Sequence, residues 1–311
     1  MRLRPVLAVL AATCAAALGA SSAFATVNLP KPGSASQVSA LVAASSQIQQ
    51  LPRNLLPPLG QAAQDSPGAY YSVASRLCVG VTKCVFGDRK SKTTVVLFGD
   101  SHAQMWLPAL VPVAASAGDR LVLVWMPGCP DTTITVWSIQ THSGSRACDN
   151  FRASSIAAIR SLAPKVVLLA DRTSDIPDAH NKLTANAAWQ AGLEQTIAKL
   201  KSPKTAVAVI GDVTAFTTAL PECLAANPRA VQSCSVPNPN PRTHQHFAAE
   251  AAAAAAEGVP YVNPQPWLCT KVCSPVIGNM VAYFDKLHVA ATYAEYLSAV
   301  MAAALKGIVG P

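Results

Sequence analysis

The chain has 311 residues, 51% hydrophobic and 13% charged, which supplies apolar material for one large core and too little charge for a disordered chain. Collagen-like and coiled-coil readings are excluded on the same grounds. The formal charge of +8 is dispersed, with Arg89, Lys90 and Lys92 as its densest cluster, a pattern of solvated surface that argues against nucleic-acid binding.

Residues 1–25 open with Arg2 and Arg4, run through apolar residues from Val6 to Leu18 and end on Ala23-Phe24-Ala25, the layout of a secretory signal peptide. No later run approaches the ~20 apolar residues that cross a bilayer. The expectation is an exported protein, secreted or held at the cell envelope. Cys14 leaves with the leader, so Cys78, Cys84, Cys129, Cys148, Cys223, Cys234, Cys269 and Cys273 remain. An even set in an exported chain points to disulfides, and joining sequence neighbours is the simplest pairing: 78 with 84, 129 with 148, 223 with 234 and 269 with 273. A zinc site on the last four cysteines with His244 and His246 is the alternative, although no paired Cys-x-x-Cys spacing supports it.

Residues 26–65 are rich in Pro, Ser, Gln and Ala, show no sustained period and read as an extended arm. After Cys78 short apolar runs lie at 94–101, 120–126, 165–170, 205–213 and 259–264. Each is continuous rather than alternating, as strands buried on both faces are. Helical stretches fall between and after them, at 103–117, 148–163, 185–200, 243–257 and 289–305. This alternation predicts a three-layer α/β/α, flavodoxin-like domain over 66–311, built on a five-stranded parallel sheet.

In such folds the working groups gather at the carboxyl ends of the strands. The first run ends in Gly99-Asp100-Ser101-His102 and turns straight into a helix, so Ser101 stands at a helix start, where backbone amides favour developing negative charge. The plain reading of Ser101 is a helix cap. Near the C-terminus, Asp285-Lys286-Leu287-His288 precedes the last helix, with a spacing that lets the carboxylate hold one ring nitrogen while the other faces a nucleophile. A serine hydroxyl is a poor nucleophile until a base assists it, so Ser101, His288 and Asp285 together spell nucleophile, base and orienting acid.

These motifs resemble the SGNH (GDSL-like) hydrolase superfamily. More narrowly, Gly99-Asp100-Ser101-His102, the Cys78 and Cys84 pair before it, Pro127-Gly128-Cys129-Pro130 and the Cys269 and Cys273 pair before Asp285 are similar to the SGNH domain fused to membrane acyltransferase-3 proteins. The resemblance implies an exported serine enzyme, an esterase or O-acyltransferase that handles acyl groups, acetyl above all, on cell-envelope carbohydrate through an acyl-enzyme on Ser101. It implies no metal and no organic cofactor. Its partners would be an O-acylated or acceptor carbohydrate and, for transfer, a separate membrane acyltransferase as acyl donor.

For the oxyanion hole the resemblance implies the Ser101 amide, a glycine after the second strand, for which Gly128 serves, and an asparagine after the third. There the sequence reads Asp171-Arg172-Thr173-Ser174, with no asparagine, so either Arg172 or Thr173 donates instead or the hole is weaker by one donor. His102 and Trp137 are the candidate substrate-binding residues, the latter as a sugar platform. The alternative function is a non-catalytic glycan-binding or envelope-assembly protein that keeps the fold.

Overall fold

Val, Leu, Ile and Phe dominate the apolar runs, and the chain lays them side by side as one sheet. In this computed structural model residues 31–71, 84–240 and 244–309 are described. The leader and Cys78 lie outside the described residues. The strands are β1 (Val85–Gly87), β2 (Thr94–Gly99), β3 (Arg120–Trp125), β4 (Val166–Ala170), β5 (Ala206–Ile210) and β6 (Tyr261–Val262). Their order across the sheet is β1-β3-β2-β4-β5-β6. The five expected strands are parallel, and β2 sits among them with Phe98 opposite Val124 on one side and Leu169 on the other. The sixth strand is an antiparallel edge on β3. With three half-buried residues, β1 is too short to give a periodic signal.

Alternate side chains of each strand feed two separate cores. Val95, Leu97, Leu121, Leu123 and Leu168 enter one; Val96, Phe98, Val122, Val124 and Leu169 enter the other. Burial on both faces is why these runs carry no polar alternation. Helices α1 (Ala35–Ser45), α2 (Ser101–Met105) and α3 (Leu107–Ala117) cover the first core, whereas α4 (Arg146–Leu162), α5 (Asn186–Leu200) and α6 (His244–Ala256) cover the second. The chain closes back over the first core with α7 (Ala291–Tyr296) and α8 (Ser298–Ala304).

Three departures from the sequence reading matter. The helix expected at 103–117 begins at Ser101 and breaks at Trp106, because Pro108 has no amide to donate into a continuous helix. The last helix breaks at Leu297 into α7 and α8. Most consequentially, the segment read as an extended arm is built into the domain. Ser34 and Gln37 form a capping box that starts α1, and Val38 and Val42, one turn apart, are buried in the first core. Beyond the helix, Leu51 donates its amide to Pro228, Leu56 donates to Asn279, and Val281 donates back to Leu56. The Asp65 carboxylate accepts the Thr292 amide at 3.1 Å. Such partners lie far along the chain, 227 residues away for Asp65 and Thr292, so no local pattern announces them.

Cysteines 129 and 148, 223 and 234, and 269 and 273 are joined as disulfides. The last four cysteines are therefore spent on each other rather than on a zinc ion.

Candidate active site

Gly99 ends β2 where its backbone runs against β4: a Cβ there would stand 1.9 Å from the Ala170 carbonyl oxygen. Only glycine allows that approach. The next residue, Asp100, caps α2 by accepting the His102 amide at 2.8 Å, and it also accepts the Arg172 amide at 3.1 Å. Because Asp100 is the cap, the Ser101 hydroxyl is left free for other work. It lies 2.8 Å from His288 Nε2.

His288 is held by a loop closed on itself. Tyr283 bridges Val289, the Phe284 amide donates to the His288 carbonyl, and Ala290 donates to Ala282. Just before it, Met280–Val281 pairs with Val276–Ile277 in a hairpin apart from the main sheet. Within the loop, Asp285 Oδ1 accepts the amides of Leu287 and His288, both at 2.7 Å, while Oδ2 lies 2.7 Å from His288 Nδ1. Burial works to raise the Asp285 pKa, but the hydrogen bond and charge of His288 and the two amides outweigh it and hold the carboxyl below its ordinary value. An ionised Asp285 fixes the tautomer in which Nε2 presents its lone pair to Ser101.

The candidate oxyanion residues fare differently. Gly128, at φ 65°, lies in an exposed turn closed by the Cys129 amide on the Met126 carbonyl, and Met126 in turn donates to Gly99 at 3.4 Å. That loop is secured by the disulfide to α4 and by Arg152, which donates to the carbonyls of Pro130 and Ile134. Thr173 is committed elsewhere, since both its amide and its hydroxyl donate to Asp212 Oδ2, at 2.8 and 2.9 Å. The Arg172 amide is committed to Asp100, but its side chain is half-buried and its Nε is buried with no hydrogen-bond partner among the described residues. The Arg172 charge lies close enough to His102 to oppose that ring's protonation.

His102 is not at the substrate surface. It is 2% exposed, its Nδ1 lies 2.6 Å from Asp212 Oδ1, and its Nε2 is buried with no hydrogen-bond partner among the described residues. A group shielded from water is equally shielded from substrate, which corrects its reading as a substrate-binding residue. Trp137 stands in a separate two-stranded hairpin, edge-on to His142, and no contact among the described residues joins it to Ser101 or His288.

Sequence reasoning missed Asp212 and the buried acids around it, Asp131, Asp171 and Glu250. A signal existed: Gly211-Asp212 ends β5 just as Gly99-Asp100 ends β2.

Over residues 63–303 the chain matches the SGNH domain (fused to AT3 domains). The chain belongs to this SGNH family. No curated protein matches it. Among solved structures, this SGNH protein is similar to the lipopolysaccharide acetyltransferase periplasmic domain of Salmonella ser. Paratyphi A, with TM-score 0.54 and 17% identity over 74% of this chain and 93% of that one. It is also similar to a GDSL-like lipase from Bacteroides thetaiotaomicron VPI-5482, with TM-score 0.43 and 13% identity over 79% of this chain and 98% of that one. At such identities the structural likeness is one of fold. Family membership makes the protein an SGNH-type esterase or acyltransferase. No helix among the described residues is long and apolar enough to cross a membrane.

Proposed function

We propose that this protein is an exported serine enzyme that removes or transfers an O-acyl group, acetyl above all, on a cell-envelope carbohydrate. The observation that carries the reading is the unbroken chain from Ser101 through His288 to Asp285, with links of 2.8 and 2.7 Å. Ser101 Oγ attacks the ester carbonyl while His288 Nε2 takes its proton, and Asp285 steadies the imidazolium that results. Collapse of the tetrahedral intermediate expels the alcohol, which recovers the proton from His288 and leaves an acyl-enzyme on Ser101. Water or a sugar hydroxyl then gives its proton to His288 and attacks the acyl carbon, and Ser101 is regenerated.

The oxyanion needs donors. We assign them to the amides of Ser101 and Gly128 and to the Arg172 side chain in place of the family's asparagine. Support comes from the buried Arg172 Nε, which has no hydrogen-bond partner among the described residues, and from the hydrogen bond that the Arg172 amide donates to the Asp100 carboxylate, which anchors Arg172 beside the nucleophile. For the carbohydrate, support comes from the acetyltransferase domain that shares this fold, which acts on lipopolysaccharide. Transfer, as opposed to hydrolysis, would draw on a separate membrane acyltransferase as acyl donor.

The test is intact mass after treatment with a fluorophosphonate, together with release of p-nitrophenol from its acetate ester. The wild type should gain one adduct at Ser101 and hydrolyse the ester, and Ser101→Ala should do neither. A wild type that neither labels nor turns over would discard the serine mechanism in favour of glycan binding. Adding an acetylated or free glycan acceptor and following the acetyl group then separates water from sugar as acceptor.

A further inference from the structure

Ser101 is followed at once by a second histidine that the proposed mechanism does not use. His102 Nδ1 lies 2.6 Å from Asp212 Oδ1, and the same carboxylate accepts the Val213 amide at 2.7 Å and both Thr173 donors. A carboxylate with that many donors is ionised and immobile. The His102 ring meets the His288 ring edge-on, with centroids 4.9 Å apart, and Phe284 stacks on His288 at 5.4 Å and 15°. The general base is thus gripped between two rings, one of them tethered to β5 through Asp212. Burying His102 with Nε2 unpartnered costs free energy that a hydrocarbon ring in the same place would avoid.

We propose that His102 and Asp212 form a second histidine and aspartate dyad that positions the first: His102 sets the ring plane of His288 without meeting substrate. The inference rests on the serine mechanism above. His102 is a positioning residue, and its charge state bears on the pair. Burial opposes its protonation, but the Asp212 charge and hydrogen bond and the Asp100 charge raise its pKa above the ordinary value, with Arg172 opposing. The other titratable groups facing this arrangement among the described residues are Glu250 of α6, whose Oε2 accepts the Asp212 amide, Tyr261 of β6, and Asp131, Asp171, Tyr283 and Asp285. Protonation of His102 therefore changes the charge borne by a ring whose centroid lies 4.9 Å from that of His288.

Two variants separate ring from tether. His102→Phe keeps a ring beside His288 but has no donor for Asp212, whereas His102→Asn keeps a donor near the Nδ1 position but has no ring. Each should lower kcat on p-nitrophenyl acetate by about 10²-fold, the cost of a misplaced base, with KM little changed. Asp212→Asn should do the same, and the double variant His102→Phe/Asp212→Asn should be no worse than either single one. Folded variants that turn over at the wild-type rate with an unchanged KM would overturn the proposal while wild-type labelling at Ser101 left the serine mechanism standing. Absent wild-type labelling would bring down both. Should the variants fail to fold, imidazole nitrogen resonances of the wild type decide the matter. A His102 titration felt at His288 supports the dyad, and a His288 spectrum indifferent to it defeats the proposal.

Discussion

Arg172 shows how a residue's role can turn on what its own backbone is doing. Its amide serves Asp100 and so cannot serve a substrate, which leaves the guanidinium as the only part of the residue able to meet a developing oxyanion. Its buried Nε has no hydrogen-bond partner among the described residues, and a transient anion at Ser101 would supply one. Arg172→Ala should therefore lower kcat by about 10²- to 10³-fold, the usual effect of losing one oxyanion donor. Its melting temperature should stay close to that of the wild type, and Arg172→Lys should recover only part of the rate because the fork geometry is lost. Steady-state kinetics beside a thermal melt checks this, and full activity in a folded Arg172→Ala protein would remove Arg172 from the site. His102 makes the same point in reverse. The motif drew attention to it as a neighbour of the nucleophile, yet helix α2 turns it inward, where it meets Asp212.

Among the elements, β2 to β5 were legible because burial on both faces leaves a continuous apolar run that few other structures produce. Helix α1 was not, since its apolar side is only Val38, Leu41 and Val42 among alanines and serines, too short a run to show a sustained period, and its partners come from the far end of the chain. Its place in the core makes the prediction plain: Val42→Ala should cost about 1–3 kcal/mol of stability. Urea denaturation reads that as a lower midpoint at unchanged slope, and an unchanged midpoint would mean that α1 is not part of the cooperative unit. The loop from Asp285 to His288 was legible as a motif, although its closure by Tyr283, Val289 and Ala282 was not.

On the scale of the whole molecule, the carboxyl end of the sheet gathers more buried acid than one catalytic triad requires. The Asp131 amide donates to Asp171 at 2.9 Å, and both acids are buried. Burial, chiefly, pushes the Asp131 carboxyl up to about 7 from its ordinary 3.8, against the Asp171 hydrogen bond and the Arg152 charge. Asp171 is likewise raised, by burial and then by the charges of Asp131 and Asp100. An unfolded chain releases the Asp131 proton at the ordinary value and the folded one only near pH 7. The stability this group contributes is therefore complete at acid pH and is lost as pH rises through about 7. Asp131→Asn has no such proton to lose. Its melting temperature should match the wild type in acid and exceed it by several degrees above neutral pH, and a gap that stayed constant with pH would contradict the assignment.

What the sequence determined alone was the class of fold, the five parallel strands, the three disulfide pairings among the described residues and the candidate triad of Ser101, His288 and Asp285. Each is written in a short span: an apolar run, neighbouring cysteines, a glycine at a turn, an Asp three residues before a His. Tertiary structure alone decided that residues 34–65 belong to the domain, that Thr173 and the Arg172 amide are spent on Asp212 and Asp100, and that His102 faces inward. Those outcomes depend on partners brought together from distant parts of the chain, 110 residues apart for His102 and Asp212. A local pattern records what a segment prefers, whereas a buried polar group takes whichever partner the packed fold sets beside it.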